Sequence, residues 1–347
     1  MTAFAYNALP GRVIFGSGVA REQLTAEVEA LGAKKILVIA TGSEADLATE
    51  LCEPFADRIA ATFTEVRPHV PIEVVEQARA AADGADLVLS VGGGSTTGTA
   101  KAVALTTGLP ILAVPTTYAG SEVTPVWGLT EAGRKTTGTD PRALPRTVVY
   151  DPDLTGTLPV ELAVASGLNA MAHCVEAFWA PRRNPVSSAI AEDGIRHLAT
   201  GLANPASREE LLLGAYLAGS AFAVAGSGLH HKICHALGGA FDLPHAQTHA
   251  IVLPYVLAFN APHAAEAASR IARALSVSDP VAGLHQLGAR LGIPAGLREL
   301  GMAESDVDTV LAEIHAPADN PRPVTVAGLR SLLHAAWAGA EPGKDFA

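Results

Sequence analysis

The stretch DLVLSVGGGS (86–95) most constrains the fold of this chain. It has the pattern of a buried strand that ends in a glycine loop. The segments TTGTAKAVALTTG (96–108) and LPILAVPTT (109–117) then have the patterns of a helix and a second apolar strand. An apolar strand, a helix and another apolar strand in succession favour parallel pairing, with helices on both faces of the sheet. The first half of the chain is therefore predicted to be a doubly wound α/β domain.

The pattern of the chain changes near Asp151-Pro152-Asp153. Before this point we predict three further strands, RVIFG (12–16), KILVIA (35–40) and one in PRTVVYDP (145–152). We also predict a helix over 70–84 and a β-hairpin that turns at Glu131-Ala132-Gly133. From Val160 onward nearly every segment has helical spacing, broken by Pro and Gly. A length of 347 residues favours two domains over one. We predict an α/β dinucleotide-binding domain over 1–153 and an all-α domain over 154–347.

Composition excludes some classes of partner. The net charge is −11 and the longest basic cluster is Arg182-Arg183, which argues against a nucleic acid or a membrane surface as partner. The three cysteines form no CxxC motif and are expected to be buried thiols in a reducing compartment. The start MTAFAYNALPGR lacks the basic and apolar regions of a signal peptide. We therefore expect a cytoplasmic protein.

The glycine loop VGGGSTTGTAK (91–101) is predicted to bind phosphate. Glycines let the backbone approach a pyrophosphate, and the N-terminus of the following helix offers free N–H groups and partial positive charge. The loop matches neither GxGxxG nor a Walker A motif, so a merely tight turn is the alternative. The segment PTTYAGSE (115–122) forms a second loop of small hydroxyl residues after a neighbouring strand, and two such loops favour a dinucleotide crevice. The predicted cofactor-binding residues are Thr41, Gly92, Gly93, Gly94, Ser95, Lys101, Thr116, Thr117 and Tyr118.

Histidines crowd into the segment 230–249, which holds five of the twelve in the chain. His231 and His235 are four residues apart on a predicted helix, and His245 follows ten residues later. Asn169 and His173 have the same four-residue spacing on another predicted helix, so each pair shares one helix face. This layout is similar to that of a metal site. The alternative for any single histidine is a core or surface residue whose hydrogen bonds are already satisfied.

These motifs, together with DPDLTGTLP (151–159) and SGLNAMAHCVEAF (166–178), resemble the iron-containing (group III) alcohol dehydrogenases over nearly the whole chain. The resemblance implies a dehydroquinate synthase-like dinucleotide-binding domain followed by a helical domain, with the active site in the cleft between them. It also implies NADH or NADPH as cofactor and a homodimer.

Two departures from the family pattern are informative. The family's metal ligands are Asp, His, His and His, and the matching positions here are Asn169, His173, His231 and His245. Three imidazoles and a neutral amide are a poor set of ligands for iron, so we expect no metal. The usual GGGSxxD has Gly98 in place of Asp. Both departures resemble the maleylacetate reductase branch, which implies reduction of the C=C bond of a small dicarboxylate in the breakdown of aromatic compounds.

The resemblance and the chemistry together suggest roles for side chains. Conjugate reduction of an enone needs a site for an enolate and a positioned acid, and imidazoles can serve both roles. We predict His173, His231, His235 and His245 as the catalytic group. Substrate carboxylates are predicted to meet Asn169, Lys232, Arg134 and Lys135, although the last two could instead form a solvated hairpin tip. A hydroxyl at Thr41, where the family has a nearby Asp, predicts that NADH and NADPH are both used, within roughly tenfold.

Two other functions stay open from the sequence. One is a metal-dependent alcohol or aldehyde dehydrogenase of the same fold, which would require Asn169 to accept iron or zinc. The other is a nucleotide-binding regulatory protein without turnover, against which the clustered histidines count.

Overall fold

The computed structural model describes residues 4–9, 11–132, 134–204, 206–343 and 346. Backbone contacts divide the chain into two compact units. One unit is Ala8–Leu158, called here the α/β unit, and the other is Pro159–Ala347 together with the described residues up to Asn7, called here the helical unit.

The α/β unit contains a six-stranded sheet in the order β1-β8-β5-β4-β2-β3, and every pair in it is parallel. Its strands are β1 (Arg12–Phe15), β2 (Ile36–Ala40), β3 (Ile59–Phe63), β4 (Leu87–Gly92), β5 (Ile111–Pro115) and β8 (Thr147–Tyr150). Four helices connect them: α1 (Val19–Ala30), α2 (Ala45–Cys52), α3 (Ile72–Ala81) and α4 (Gly94–Thr107).

The central strands explain why the sheet forms. Every residue of β2, β4 and β5 is buried, as expected of near-continuous apolar strands covered on both faces. One apolar cluster joins these strands to α1 and α2, and a separate small cluster joins Val75 of α3 to Ala102 of α4. The predicted doubly wound α/β fold is confirmed. The sequence pattern missed β3, an edge strand of five residues whose first four alternate between half-buried and exposed.

The predicted hairpin is present as an antiparallel pair outside the main sheet, formed by β6 (Val126–Glu131) and β7 (Arg134–Thr139). Gly133 of its predicted turn lies outside the described residues. The predicted domain boundary at residue 153 falls inside a 3-10 turn, Pro152–Thr157, that stays with the α/β unit. Leu154 packs in the core cluster of the sheet, and Thr155 Oγ1 accepts a hydrogen bond from the Tyr118 hydroxyl at 3.2 Å. These contacts extend the unit to Leu158.

The helical unit confirms the predicted all-α domain. Its helices are α5 (Val160–Ala177), α6 (Pro185–Ala203), α7 (Arg208–Ala225), α8 (Leu229–Phe241), α9 (His245–Asn260), α10 (Ala265–Ala274), α11 (Pro280–Arg290), α12 (Asp306–Leu311) and α13 (Val326–Ala338). Glycines let α6 and α7 approach closely, since a Cβ on Gly201 would lie 2.8 Å from the backbone N of Leu211. Within the described part of the chain no single helix is long and apolar enough to span a membrane. Only α7 and α8 taken together, across a 100° bend, reach that length and composition.

Candidate active site

The glycine loop follows β4 and leads directly into α4. Gly92 has φ +149, a conformation that favours glycine, and a side chain there would collide with Thr96 and Glu44. Gly93 is the N-cap of α4, and a Cβ on it would lie 2.9 Å from Cγ2 of Thr117. Because glycine has no side chain with which to cap the helix, the first N–H groups of α4 are left for an external anion. This local geometry fits the predicted phosphate site at Gly92, Gly93, Gly94 and Ser95.

Three threonines lie at strand ends beside this loop. Thr116 and Thr117 follow β5, and the Thr116 N–H donates to the Gly92 carbonyl at 3.2 Å, so the two loops are held together by backbone. Thr41 follows β2, the neighbour of β4 on its other side. The structure thus brings Thr41, Thr116 and Thr117 to the same edge of the sheet as the glycine loop, where ligands of open parallel sheets bind.

Lys101 does not fit its predicted contact with the cofactor. Its side chain is buried, and Nζ donates to the carbonyl oxygens of Ser121, Thr124 and Val126 at 2.6, 2.8 and 2.7 Å. An ammonium has three hydrogens, so none is left for a phosphate. The prediction is wrong because the chain after β5 folds over Lys101, and the ammonium group is used in hydrogen bonds to the backbone carbonyls of that segment. Burial lowers the pKa of Lys101 to about 7, opposed by the nearby carboxylate of Glu122.

Tyr118 also lies inside the α/β unit. Its side chain is only 1% exposed and its hydroxyl bonds to Thr155, so the structure contradicts a side-chain contact with a cofactor. The sequence placed Tyr118 in the loop but could not tell that alternate residues of that loop point inward.

Glu44 is a residue of this site that the sequence analysis missed. It lies in the 3-10 turn after β2, where Oε2 accepts from Thr41 Oγ1 at 2.8 Å and Oε1 accepts from Thr116 Oγ1. A carboxylate therefore does stand beside Thr41, contrary to the premise on which we predicted equal use of NADH and NADPH. Its position four residues past the end of β2 was the signal that the sequence offered.

The predicted catalytic histidines lie on three helices of the helical unit. His173 lies on α5, His231 and His235 on α8, and His245 begins α9. The His231 ring centroid lies 5.0 Å from that of His173 and 6.0 Å from that of His235, and the His235 centroid lies 6.3 Å from that of His245. His231 is buried, whereas His235 and His245 are exposed. The structure thus brings all four imidazoles into one continuous group.

Glu176 anchors this group and was not predicted. It is fully buried on α5, and its carboxylate accepts the backbone N–H groups of Gly228 and His230 at 2.9 and 2.6 Å. It also meets Nδ1 of His231 at 2.6 Å. The carboxylate therefore caps the N-terminus of α8, where a negative charge is favourable, and it holds the His231 Nδ1–H.

Several polar atoms of the cluster lack an internal partner. Buried atoms that find no hydrogen bond within the described ranges are Asn169 Oδ1, His173 Nδ1, His230 Nδ1, His231 Nε2 and His249 Nε2. Leaving a buried polar atom unpaired costs about 1–3 kcal/mol, so native proteins keep few of them. A group of such atoms in one place is typical of a site that binds a polar ligand.

Electrostatics keep the inner histidines neutral. Burial, together with the neighbouring imidazoles, lowers the pKa of His173 and His249 well below the ordinary range. Burial lowers the pKa of His230 to about 3, against the opposing effect of Glu176. For Glu176, burial alone would raise the pKa, but the hydrogen bond and charge of His231 hold it below its usual value. The Glu176 carboxylate is therefore ionised at neutral pH, while His173, His230 and His249 are uncharged.

The predicted carboxylate-binding residues are placed differently from one another. Asn169 lies on α5, one turn before His173, and Lys232 is exposed on α8 next to His231. Arg134 is exposed at the tip of the hairpin in the α/β unit, opposite Glu131 in the strand register. Lys135 lies on β7, but its side chain falls outside the described residues. Asn169 thus lies on the same helix face as His173, whereas the roles of Lys232 and Arg134 stay predictions.

Family models match both halves of the chain. A model described as iron-containing alcohol dehydrogenase matches residues 10–152, and one described as the C-terminal part of the Fe-containing alcohol dehydrogenase family matches residues 163–337.

Several relatives and solved structures are similar to this chain over nearly its whole length. A maleylacetate reductase of Burkholderia cepacia is 45% identical over 99% of this chain and 100% of its own length. One of Sphingobium indicum is 47% identical over 98% of this chain and 99% of its own. Among solved structures, maleylacetate reductase from Agrobacterium tumefaciens superposes with a TM-score of 0.94 at 41% identity, covering 99% of this chain and 100% of that one. An iron-containing alcohol dehydrogenase from Corynebacterium glutamicum gives a TM-score of 0.95 at 51% identity, with 99% of both chains covered.

Proposed function

Because this chain belongs to the iron-containing alcohol dehydrogenase family, we propose that it is an NAD(P)H-dependent oxidoreductase, and specifically one that reduces the C=C bond of maleylacetate to give 3-oxoadipate. The observation that carries the proposal is the full-length match to maleylacetate reductases. It favours this reaction over the metal-dependent oxidation of an alcohol. It also disfavours a regulatory protein without turnover, since those relatives are enzymes by name.

The family description names iron, so the expectation that no metal takes part finds no support in the comparisons. The residues at the family's ligand positions nevertheless favour the expectation that no metal takes part. Asn169 supplies a neutral amide oxygen where iron would need a carboxylate to offset its charge. Within the described chain, three metal-ligating side chains do gather their ligand atoms within 4.8 Å, but they are His230, Cys234 and His249 and not the family's set. The donors at Asn169, His173, His231 and His245 do not fit iron, and the proposed reaction uses no step through a metal.

The proposed reaction is a conjugate reduction. A reduced nicotinamide cofactor held at the glycine loop would supply a hydride to the alkene carbon β to the ketone, and the π electrons would move to the ketone oxygen as an enolate. A proton must then reach the α carbon. The protein must therefore stabilise one developing oxyanion and deliver one proton.

The histidine group suits both tasks. His231 is held by Glu176 so that Nε2 is free, while the exposed rings of His235 and His245 can exchange protons with solvent. We propose that one of these three imidazoles delivers the proton and that the group as a whole receives the enolate. His173 and Asn169 complete the polar surface, since Asn169 Oδ1 and His173 Nδ1 have no partner elsewhere in the described chain.

The substrate carries a carboxylate at each end, and Lys232 beside His231 is the proposed cation for one of them. Arg134 and Lys135 remain candidates for the other. We further propose that the protein is a homodimer. We also propose that it is cytoplasmic, which agrees with its three cysteines being free thiols. No nucleic acid or membrane partner is proposed for a chain of this charge.

For the cofactor we propose NADH or NADPH, bound at the glycine loop with its pyrophosphate at the N-terminus of α4. The carboxylate of Glu44 beside Thr41 now favours NADH, because it repels a 2′-phosphate and can accept a hydrogen bond from a ribose hydroxyl.

A steady-state assay tests the function directly. NADH absorbance should fall when maleylacetate is added, and treatment with EDTA should leave the rate unchanged. Loss of activity in EDTA with recovery on adding iron would establish the metal-dependent alternative. Asn169→Asp should increase metal retention without improving the reaction, because it restores the missing carboxylate.

A further inference from the structure

A second group of potential metal ligands lies behind the histidines discussed above. Ligand atoms of His230, Cys234 and His249 all lie within 4.8 Å of one another, and the three side chains are at most 1% exposed. We propose that these three residues form a binding site for a thiophilic divalent ion of the Zn²⁺ class, distinct from the family's four ligand positions. The ion would act there as an inhibitor and not as a catalyst.

The backbone prearranges this site. His230 and Cys234 are four residues apart on α8, so their side chains share one face of the helix. His249 faces them from α9, which packs against α8. Nε2 of His230 lies 3.0 Å from Nδ1 of His249 and 3.7 Å from Sγ of Cys234. A tetrahedral zinc ion with Zn–N of about 2.0–2.1 Å and Zn–S of about 2.3 Å separates its ligands by roughly 3.3–3.6 Å. Small side-chain movements would therefore suffice to bind it.

The local charge is suited to a divalent cation. Binding converts the Cys234 thiol into a thiolate, and the released proton passes to solvent. The buried carboxylate of Glu176 lies one peptide away, since it accepts the N–H of His230 at 2.6 Å. The thiolate and this carboxylate together offset the two positive charges of the ion. Thiolate and imidazole ligands select Zn²⁺ and similar ions over Mg²⁺ and Ca²⁺, which prefer oxygen.

Occupancy would disturb the catalytic group. Without an ion, His230 and His249 are hydrogen-bonded to each other, and a bound ion replaces this bond. The His249 ring lies 4.3 Å from that of His245 and 4.9 Å from that of His231, so fixing His249 on an ion changes the surroundings of both. The inhibitory effect rests on the function proposed above, whereas the binding site does not.

Cobalt(II) substitution tests the site independently of turnover. Co²⁺ bound by a thiolate gives a sulfur-to-cobalt charge-transfer band in the near ultraviolet, which the family's four N and O ligand positions cannot give. Titrating Co²⁺ into the purified protein should produce this band at one equivalent, and Zn²⁺ should displace it. Cys234→Ser should abolish the band, while Cys174→Ala, which removes another buried thiol of the helical unit, should retain it. A band that persists in Cys234→Ser, or its absence from the parent protein, would overturn the proposal.

The inhibitory role is tested separately, with melting curves to show that each variant is folded. Added Zn²⁺ should lower turnover in the parent protein and in Cys174→Ala, with recovery on chelation, and should affect Cys234→Ala and Cys234→Ser much less. Equal inhibition of all four proteins would place the inhibitory ion elsewhere and overturn this part. If no variant reduces maleylacetate, the function proposal fails and the cobalt result still decides the metal site.

Discussion

The α/β unit and the helical unit build their sites from different kinds of groups. Around the glycine loop, the chemistry comes mainly from backbone N–H groups, which follow from where β4 ends and α4 begins. In the helical unit it comes from side chains on α5, α8 and α9, whose orientation depends on a buried carboxylate, Glu176. A backbone site tolerates many side chains as long as its glycines remain. A side-chain cluster depends on every partner that fixes a ring.

The largest expected effect comes from the histidines themselves. His235→Ala and His245→Ala should each lower kcat at least a hundredfold, because loss of a general acid typically costs about 10²–10⁴-fold. His231→Ala should act similarly, with a larger change in KM if it grips a carboxylate. NADH affinity should be retained in all three, since the glycine loop is untouched. The measurements are kcat, KM, NADH affinity and melting temperature in parallel.

Near-normal kcat in every one of these variants would show that the histidines have a structural role only. The helical unit would then not contain a catalytic site built from these side chains.

Glu176 tests whether orientation matters beyond the presence of the rings. Glu176→Gln keeps the size of the side chain but turns an NH₂ group toward backbone donors of α8 and loses the ionic partner of His231. We expect kcat to fall by about 10–100-fold, the size of effect known for partners that orient metal-ligating histidines, because the ring of His231 loses the group that fixes it. Glu176→Asp keeps the charge and should recover part of the rate at similar KM. A lowered melting temperature with unchanged kcat would show that Glu176 only caps α8 and does not position His231 for the reaction.

The two units should also respond differently to acid. His173, His230 and His249 have lowered pKa values in the fold, whereas unfolded histidine titrates near about 6.5. Below that pH only the unfolded state takes up these protons. Each of the three histidines therefore lowers the free energy of unfolding of the helical unit by up to about 1.4 kcal/mol per pH unit. In the α/β unit, burial raises the pKa of Glu122. Above about pH 4.5 the folded state therefore holds this proton more tightly than the unfolded state does, and the stability of this unit rises as the pH falls.

Hydrogen exchange between pH 7.5 and 5.5, corrected for intrinsic rates, measures this difference. Protection of α5, α8 and α9 should fall before that of β2, β4 and β5. Equal loss in both units would contradict the assignment of neutral buried histidines.

A smaller effect is expected at the glycine loop. Gly93→Ala places a Cβ 2.9 Å from Cγ2 of Thr117 and should raise the dissociation constant of NADH by about tenfold, or ~1.4 kcal/mol. Gly11→Ala is the matched control, because its Cβ would meet only the Pro145 carbonyl at 3.8 Å. Unchanged NADH binding in Gly93→Ala would move the cofactor away from this loop.

The smallest change concerns the choice of cofactor. Glu44→Gln removes the carboxylate beside Thr41 and should raise the efficiency with NADPH relative to NADH by up to about tenfold. Glu50→Gln loses the same charge from an exposed position on α2, where Glu50 pairs with Arg21, and should leave the ratio as it was. If both variants shift the ratio equally, net charge and not position sets the preference.

The sequence predicted well where function follows from local pattern. The strand β4, the glycine loop and α4 were predicted because strand period, glycines and helix spacing are all visible within about twenty residues. Lys101 and Tyr118 were assigned wrongly, since their direction depends on how the chain folds back after β5. Glu176 was missed because its partners lie more than fifty residues away, and no spacing rule links a carboxylate on α5 to the start of α8.

The pairing of β1 with β8 has a consequence for synthesis. Arg12 pairs with Thr147 and Phe15 with Tyr150, so the first strand of the sheet forms its bonds only with the last. At about 5–20 residues per second, roughly 7–30 s pass between the two leaving the ribosome. During that time β1 has no partner from the sheet, and the apolar strands made after it can already assemble around β2 and β4.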